Sequence, residues 1–329
     1  MTPADIGALL ARYGVHALRV RLVARLDCEV YRITPQPRSG DDLALRLYPA
    51  TRSDRADIES ELEWLRALAN AGLNAPAPVV DRDGEWLQTW HRPSDAASRH
   101  VILLSWVHGR HLDKGLQPVH LRRAGVLCAR MHNASASVVR AGRIASRRAA
   151  QGPDLGAWID RTRPASRHLP PAAQGHIARV ARQLQATIAG FARDHASFGF
   201  VHSDLHLWNL LFAGDSAGAI DFSDCGWGHY ALDLAATLQY LKHPWVGNHD
   251  QRPRFERLRD ALLAGYASER ALPPRVDEQI DAFIALRTIN TVEWVLDDWA
   301  HPAQRAWGPG FLLEAGRLFA SFPVSTGLA

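Results

Sequence analysis

Apolar and polar residues alternate over three early stretches, ALRVRLVARLD (17–27), EVYRITP (29–35) and DLALRLYP (42–49). Period two is the signature of half-buried strands, and the Ser-Gly-Asp composition between the last two is turn-like. A short helix over 4–14 precedes them. The stretch SDRADIESELEWLRALANAG (53–72) changes to a helical period: Ser53 or Asp54 can cap it, Ile58, Leu62, Leu65 and Ala69 form an apolar stripe, and Gly72 stops it. Prolines keep APAPVV (75–80) extended, and EWLQTW (85–90) and HVILLSWV (100–107) read as two more strands. The first hundred residues are thus expected to form five antiparallel strands and one main helix.

After HGRHL (108–112) long helical patterns take over, at about 118–136, 171–197, 229–242, 254–268, 275–298 and 303–321. One stretch breaks them: FVHSDLHLWNLLFAGDSAGAIDFSD (200–224), short strands or loop with a turn at GDSAG. The expected fold is α+β and bilobal. A β-rich lobe over 1–104 meets a mainly helical lobe over 111–329 through a hinge at 105–110, and ligands favour the cleft between such units.

Composition narrows the classes of function. The 329 residues are 47% hydrophobic and 22% charged, ordinary for a globular chain with a sizeable core. A net charge of +4, without any block of like charges, argues against dedicated nucleic-acid binding. No apolar run reaches membrane-spanning length and no leader pattern opens the chain. Cys28, Cys128 and Cys225 have no CxxC spacing, so neither a disulfide framework nor a structural zinc is expected, and a reducing cytoplasm fits.

The polar groups of 200–224 carry the candidate chemistry. Asp204 and Asn209 are five apart and Asp221 follows twelve later, after the apolar run AGAI. Phosphoryl transfer needs a carboxylate to orient an acceptor hydroxyl and oxygen ligands for the metal on the triphosphate. The order His202-Ser203-Asp204-Leu205-x-x-x-Asn209, then Asp221-Phe222-Ser223, follows the H-R-D-L-x-x-x-N and D-F-G loops of protein kinases. Two other patterns lead nowhere. G-x-S-x-G at 214–218 precedes a strand rather than a helix, so it reads as a hairpin turn. His206, in HSDLH, lacks a second set of ligands at metal spacing.

A second check lies in the early strands. Leu43, Leu45 and Leu47 face one side of the third strand, so Arg46 faces the other. Of Glu59, Glu61 and Glu63, Glu61 lies about 40° from Leu65 at 100° per residue, at the border of the apolar stripe, and is the one able to reach inward.

VHSDLHLWNLLF…AIDFSDCGWGHYALDLA closely resembles the aminoglycoside phosphotransferase/choline kinase family, whose loop reads H-G-D-x-x-x-x-N followed by I-D-F/W. It is also similar to the branch holding stress-response Ser/Thr kinases and a homoserine-kinase-like group. The resemblance implies ATP and Mg²⁺ as cofactors, Asp204 as catalytic base, Asn209 and Asp221 as metal ligands and His202 as organiser of the loop. It implies an Arg46–Glu61 clamp on the phosphates, and adenine bonded to the backbone of Ser105 and Val107. Trp208, Glu293 and Asp297 are candidates for the acceptor pocket; Asp298 beside them is a further acid. The acceptor is expected to be an alcohol group of a small molecule: an amino-alcohol, amino acid or aminoglycoside. The alternatives are a stress-response protein Ser/Thr kinase and a non-catalytic nucleotide-binding scaffold. Arg46 stands where the wider kinase group has Lys, Ser203 where the loop has Gly, and RLDCEVY between the first strands has no glycine. Sequence leaves the oligomeric state open.

Overall fold

A computed structural model describes residues 1–322 apart from 26–27, 37–39, 50–53, 92–97, 113, 151, 153, 163–167, 243–253 and 298. Ser53 and Asp298 therefore lie outside the described residues; Asp54 caps the first long helix, accepting from the N–H of Ala56.

Helix α1 (Pro3–Arg12) precedes β1 (His16–Arg25), β2 (Glu29–Gln36) and β3 (Leu43–Pro49), then α2 (Arg55–Asn70), β4 (Pro78–Val79), β5 (Leu87–His91) and β6 (Ser98–Ser105). All pairings are antiparallel, in the order β1-β2-β3-β6-β4, with β5 also on β6. The sheet has six strands rather than five, because two residues of the proline-held segment 75–80 pair with Leu103 and Leu104. Alternation sorts its faces. Tyr31, Ile33, Leu45, Leu47, Val101 and Leu103 pack under Ile6, Leu9 and Leu10 of α1. Tyr48, Ile102 and Leu104 face α2 and join the core of the helical half. Arg46, between Leu45 and Leu47, therefore points toward the second face and the cleft.

The helical half holds α3 (Pro118–Arg140), α4 (Leu155–Ile159), α5 (Pro171–Ala189), α6 (Ala231–Lys242), α7 (Phe255–Ala267), α8 (Val276–Asp297) and α9 (Pro302–Ser321). Between α5 and α6 lie β7 (Phe198–Val201), paired with β10 (Gly226–His229), and the hairpin of β8 (Leu210–Ala213) and β9 (Ser216–Ala219). Residues 214–215 make the turn of that hairpin, so GDSAG is no nucleophile elbow. α8 is buried nearly all round, which explains its weak amphipathic pattern.

Two contacts seat the halves on each other. Gly109, at φ 147°, brings the chain against β8: a Cβ there would lie 2.9 Å from that of Leu211, and Arg110 exchanges backbone hydrogen bonds with Phe212. Trp64 of α2, fully buried, meets Phe200 and Phe222 edge-on at 5.6 and 5.3 Å and donates from Nε1 to Met131 O. Such edge-to-face pairs contribute ~0.5–1.5 kcal/mol each beyond their burial. Among the described residues no helix is long and apolar enough to cross a membrane.

Candidate active site

The loop after β7 is shaped by a buried acid. Asp233, in the first turn of α6, accepts from the main-chain N–H of His202 at 3.0 Å and of Ser203 at 2.7 Å. His132 of α3 donates to it from Nε2 at 2.9 Å, and His132 Nδ1 lies 2.9 Å from Tyr266 Oη. Burial pushes the His132 pKa down, keeping the ring neutral. It works to raise that of Asp233, but the His132 hydrogen bond and neighbouring charge outweigh it. Cys128 completes a trio with metal-ligand chemistry, yet both nitrogens of His132 are already spent.

Ser203 sits at φ 74°, a left-handed conformation costing ~1–3 kcal/mol for a residue other than glycine. Its N–H is held by Asp233 and its carbonyl accepts from Arg287 Nη1 at 2.7 Å, so the strain is over-determined by partners. His202, fully buried, accepts from the N–H of Asp204 at Nδ1 and so donates from Nε2 to Ile220 O, 3.0 Å away. It ties the loop to the strand leading into Asp221 and packs on Phe222 at 4.6 Å.

Asp204, Asn209 and Asp221 line one cleft of ≈ 440 Å³ between the halves, bounded above by Ala24, Cys28 and Val30. Asp204 Oδ1 accepts from Arg287 Nη2 at 2.6 Å; Oδ2 lies 3.2 Å from His206 Nε2 and 3.3 Å from Asn209 Nδ2. Burial works to raise the Asp204 pKa, but the charges of His206 and Arg287 and hydrogen bonds from both hold it well below the usual carboxylate range. Asn209 also donates from Nδ2 to Asp204 O at 2.9 Å, which turns its amide oxygen away from the loop. Asp221, at φ 62°, engages Arg46 Nη2 and Ser223 Oγ through Oδ1, both at 2.9 Å, leaving Oδ2 for another partner. An amide oxygen and a carboxylate oxygen opening on one cleft are the donor types a hard divalent cation takes.

Arg46 is buried and forked. Nη1 pairs with Glu61 Oε1 at 3.1 Å while Nη2 reaches Asp221, and Tyr48 Oη donates to Glu61 Oε2 at 3.1 Å. Its Nε is buried without a partner. The competing acids point elsewhere: Glu59 pairs with Arg55 and Glu63 with Arg66.

The other expected residues are placed less centrally. Ser105 ends β6 and Val107 follows it, both outside the ≈ 440 Å³ cleft; the Ser105 N–H donates to Ala77 O and that of Trp106 to Asp42 O. Trp208 is partly exposed beside His111, with ring centres 5.8 Å apart. Glu293 accepts from Trp158 Nε1 at 3.0 Å, and Asp297 is exposed. None of these three lines the cleft. The stripe of α8 that does is Arg287, Asn290, Thr291 and Trp294, facing His206, Asp224 and Tyr240. A helical count from Arg287 gives that stripe (i, i+3, i+4, i+7). The missed signal was Arg287 itself, a lone charge in the apolar run AFIALRTINTV, which requires a buried partner.

The model of the phosphotransferase enzyme family matches residues 22–278. A homoserine kinase of Rhodopseudomonas palustris is 28% identical over 222 residues, 67% of this chain; the match spans only 62% of that kinase's length. One from Gluconacetobacter diazotrophicus is 30% identical over 265 residues, 80% of this chain and 76% of that kinase. Among solved structures, an amicoumacin kinase in complex with AMP-PNP and Ca²⁺ superposes with a TM-score of 0.77 at 18% identity, covering 99% of this chain and 96% of that one. The chain belongs to the phosphotransferase enzyme family.

Proposed function

We propose that this protein transfers the γ-phosphate of ATP to an alcohol group of a small amino-alcohol or hydroxy amino acid. The observation that carries the reading is the convergence of Asp204, Asn209 and Asp221 on one cleft. Asp204 orients the acceptor hydroxyl and takes its proton as the oxygen attacks phosphorus in line. With three donors on the carboxylate it is a weak base, which suits a loose transition state in which the proton leaves late. Asn209 Oδ1 and Asp221 Oδ2 would hold Mg²⁺, which would supply positive charge to offset that of the phosphates. Arg46 would set its positive charge against the phosphates while Glu61 holds it in place.

At the hinge, 105–110, the Ser105 carbonyl and the Val107 N–H would offer adenine an acceptor and a donor, the Trp106 N–H between them being given to Asp42 O. For the acceptor, Asp224 and the aromatic faces of Tyr240 and Trp294 suit an ammonium group, and Asn290 and Thr291 offer hydrogen bonds. Homoserine, the named substrate of the relatives, has both an alcohol and an ammonium group. The three free cysteines fit a reducing, cytoplasmic setting.

The test is a screen of amino-alcohols, hydroxy amino acids and aminoglycosides with γ-³²P-ATP and Mg²⁺. Label on a small cationic alcohol, lost in Asp204→Ala, is expected. Label only on added protein, or equal slow ATP hydrolysis by wild type and variant with every acceptor, contradicts the proposal.

A further inference from the structure

Arg287 is the cation nearest the proposed base, and its donors are divided among three acceptors on two segments, the loop after β7 and helix α6. Nη2 bonds Asp204 Oδ1 at 2.6 Å, Nη1 bonds Ser203 O at 2.7 Å, and Nε bonds Gln239 Oε1 of α6 at 3.3 Å. Gln239 in turn donates from Nε2 toward Thr288 and Thr291 Oγ1, both at 3.4 Å. Thr291 lines the cleft. A continuous chain of hydrogen bonds thus runs from the wall of the acceptor pocket to the carboxylate.

A carboxylate has about two acceptor directions per oxygen. Oδ2 of Asp204 already receives His206 Nε2 and Asn209 Nδ2, while Oδ1 receives Arg287 alone. The direction left for an incoming hydroxyl is on Oδ1, beside the guanidinium. Whatever fixes Arg287 fixes where that lone pair points. Arg287 is itself 7% exposed and the plane of its guanidinium is set by three acceptors, so it has one orientation to offer.

We propose that Arg287 is a positioning residue for phosphoryl transfer: it aims the free lone pair of Asp204 Oδ1 at the acceptor hydroxyl and keeps that carboxylate in register with the α8 wall. The inference rests on the phosphotransfer reading above. Arg287 touches neither nucleotide nor metal in this scheme, so it acts on the transfer step and leaves ATP binding alone.

The experiment compares Arg287→Lys and Arg287→Gln with wild type, using the best acceptor from the screen and measuring kcat, both KM values and the melting temperature. A misaimed base costs on the order of 10–100-fold in kcat. We expect that loss in Arg287→Gln and a smaller one in Arg287→Lys, whose ammonium can keep one of the three bonds. KM for ATP stays within about threefold, under ~0.7 kcal/mol. Should Arg287→Gln fail to fold, the Lys variant carries the test, because it keeps a buried cation beside Asp204. Wild-type kcat in either variant overturns the proposal, as does a loss in Arg287→Lys matched by an equal rise in KM for ATP, the mark of a merely structural role. A wild-type protein inactive toward every acceptor overturns the phosphotransfer reading and this inference with it; an active wild type with indifferent variants overturns this inference alone.

Discussion

Arg46 Nη2 stands 2.9 Å from Asp221 Oδ1, joining a strand of the first half to the end of a loop 175 residues later. The other arm of the same guanidinium holds Glu61, so one side chain sets the spacing between sheet, helix α2 and proposed metal ligand. A lysine has a single point of attachment and cannot do both. Arg46→Lys should therefore keep the Glu61 pair, release Asp221 and raise KM for ATP roughly tenfold, the value of one charge-assisted hydrogen bond at ~1.5 kcal/mol. Arg46→Met leaves Glu61 buried without its cation, with only the Tyr48 hydrogen bond, which costs about 3–5 kcal/mol. Nucleotide titration checks the first and urea denaturation the second.

Asp233 accepts from two loop N–H groups and from His132, all in a fully buried position. In Asp233→Asn an NH₂ group must face one of those donors and the loop loses its charged anchor. Each unsatisfied buried group costs about 1–3 kcal/mol, so a stability loss near 3 kcal/mol is expected in denaturant titrations. Transfer activity should fall with it, because Ser203 can no longer be held at positive φ.

The same pair sets a pH dependence. The folded pKa of His132 lies below its usual 6.5, so the unfolded chain binds a proton that the folded chain refuses. Its contribution is undiminished above pH 6.5 and erodes as the pH falls below that value. The folded pKa of Asp233 lies below its usual 3.8, so its contribution is complete above that value and is lost as the pH falls through the folded one. As the pH rises toward 6.5, stability should therefore rise through His132. In His132→Gln that slope should shrink by up to one proton, about 1.4 kcal/mol per pH unit. An unchanged slope would show that the ring is charged in the folded protein.

Local periodicity made most of this architecture legible. Strand alternation put Arg46 opposite Leu45 and Leu47, and helical phase chose Glu61 over Glu59 and Glu63. Both inferences needed only neighbours within a few residues. The strand at Pro78–Val79 was not legible, since two residues carry no period and their pairing is decided by β6. The stripe of α8 that lines the cleft was not legible for a related reason. α8 is buried on nearly every side, so its sequence gives no phase that would choose Arg287, Asn290, Thr291 and Trp294 over Glu293 and Asp297. His206 and Tyr240, stacked at 4.7 Å beside Asp204, meet through folding across 34 residues.

The two neighbours Glu293 and Trp294 should accordingly separate in function. Trp294, 49% exposed at the cleft, is placed to cover an acceptor's ammonium group. Trp294→Ala should raise KM for the acceptor roughly 3–30-fold, the range of a cation–π contact worth ~0.7–2 kcal/mol. Glu293→Ala should leave that KM alone and cost about 1–3 kcal/mol of stability, by removing the carboxylate that accepts from the buried Trp158 Nε1–H. Steady-state kinetics and thermal melts on the two variants check the contrast.

The most direct test of the central claim is a crystal structure with Mg²⁺ and AMP-PNP. The account predicts a cation bound by Asn209 Oδ1 and an Asp221 oxygen at about 2.0–2.1 Å, bridging phosphates whose γ-group faces Asp204 Oδ1. A nucleotide seated elsewhere, or a metal that ignores either residue, would contradict it.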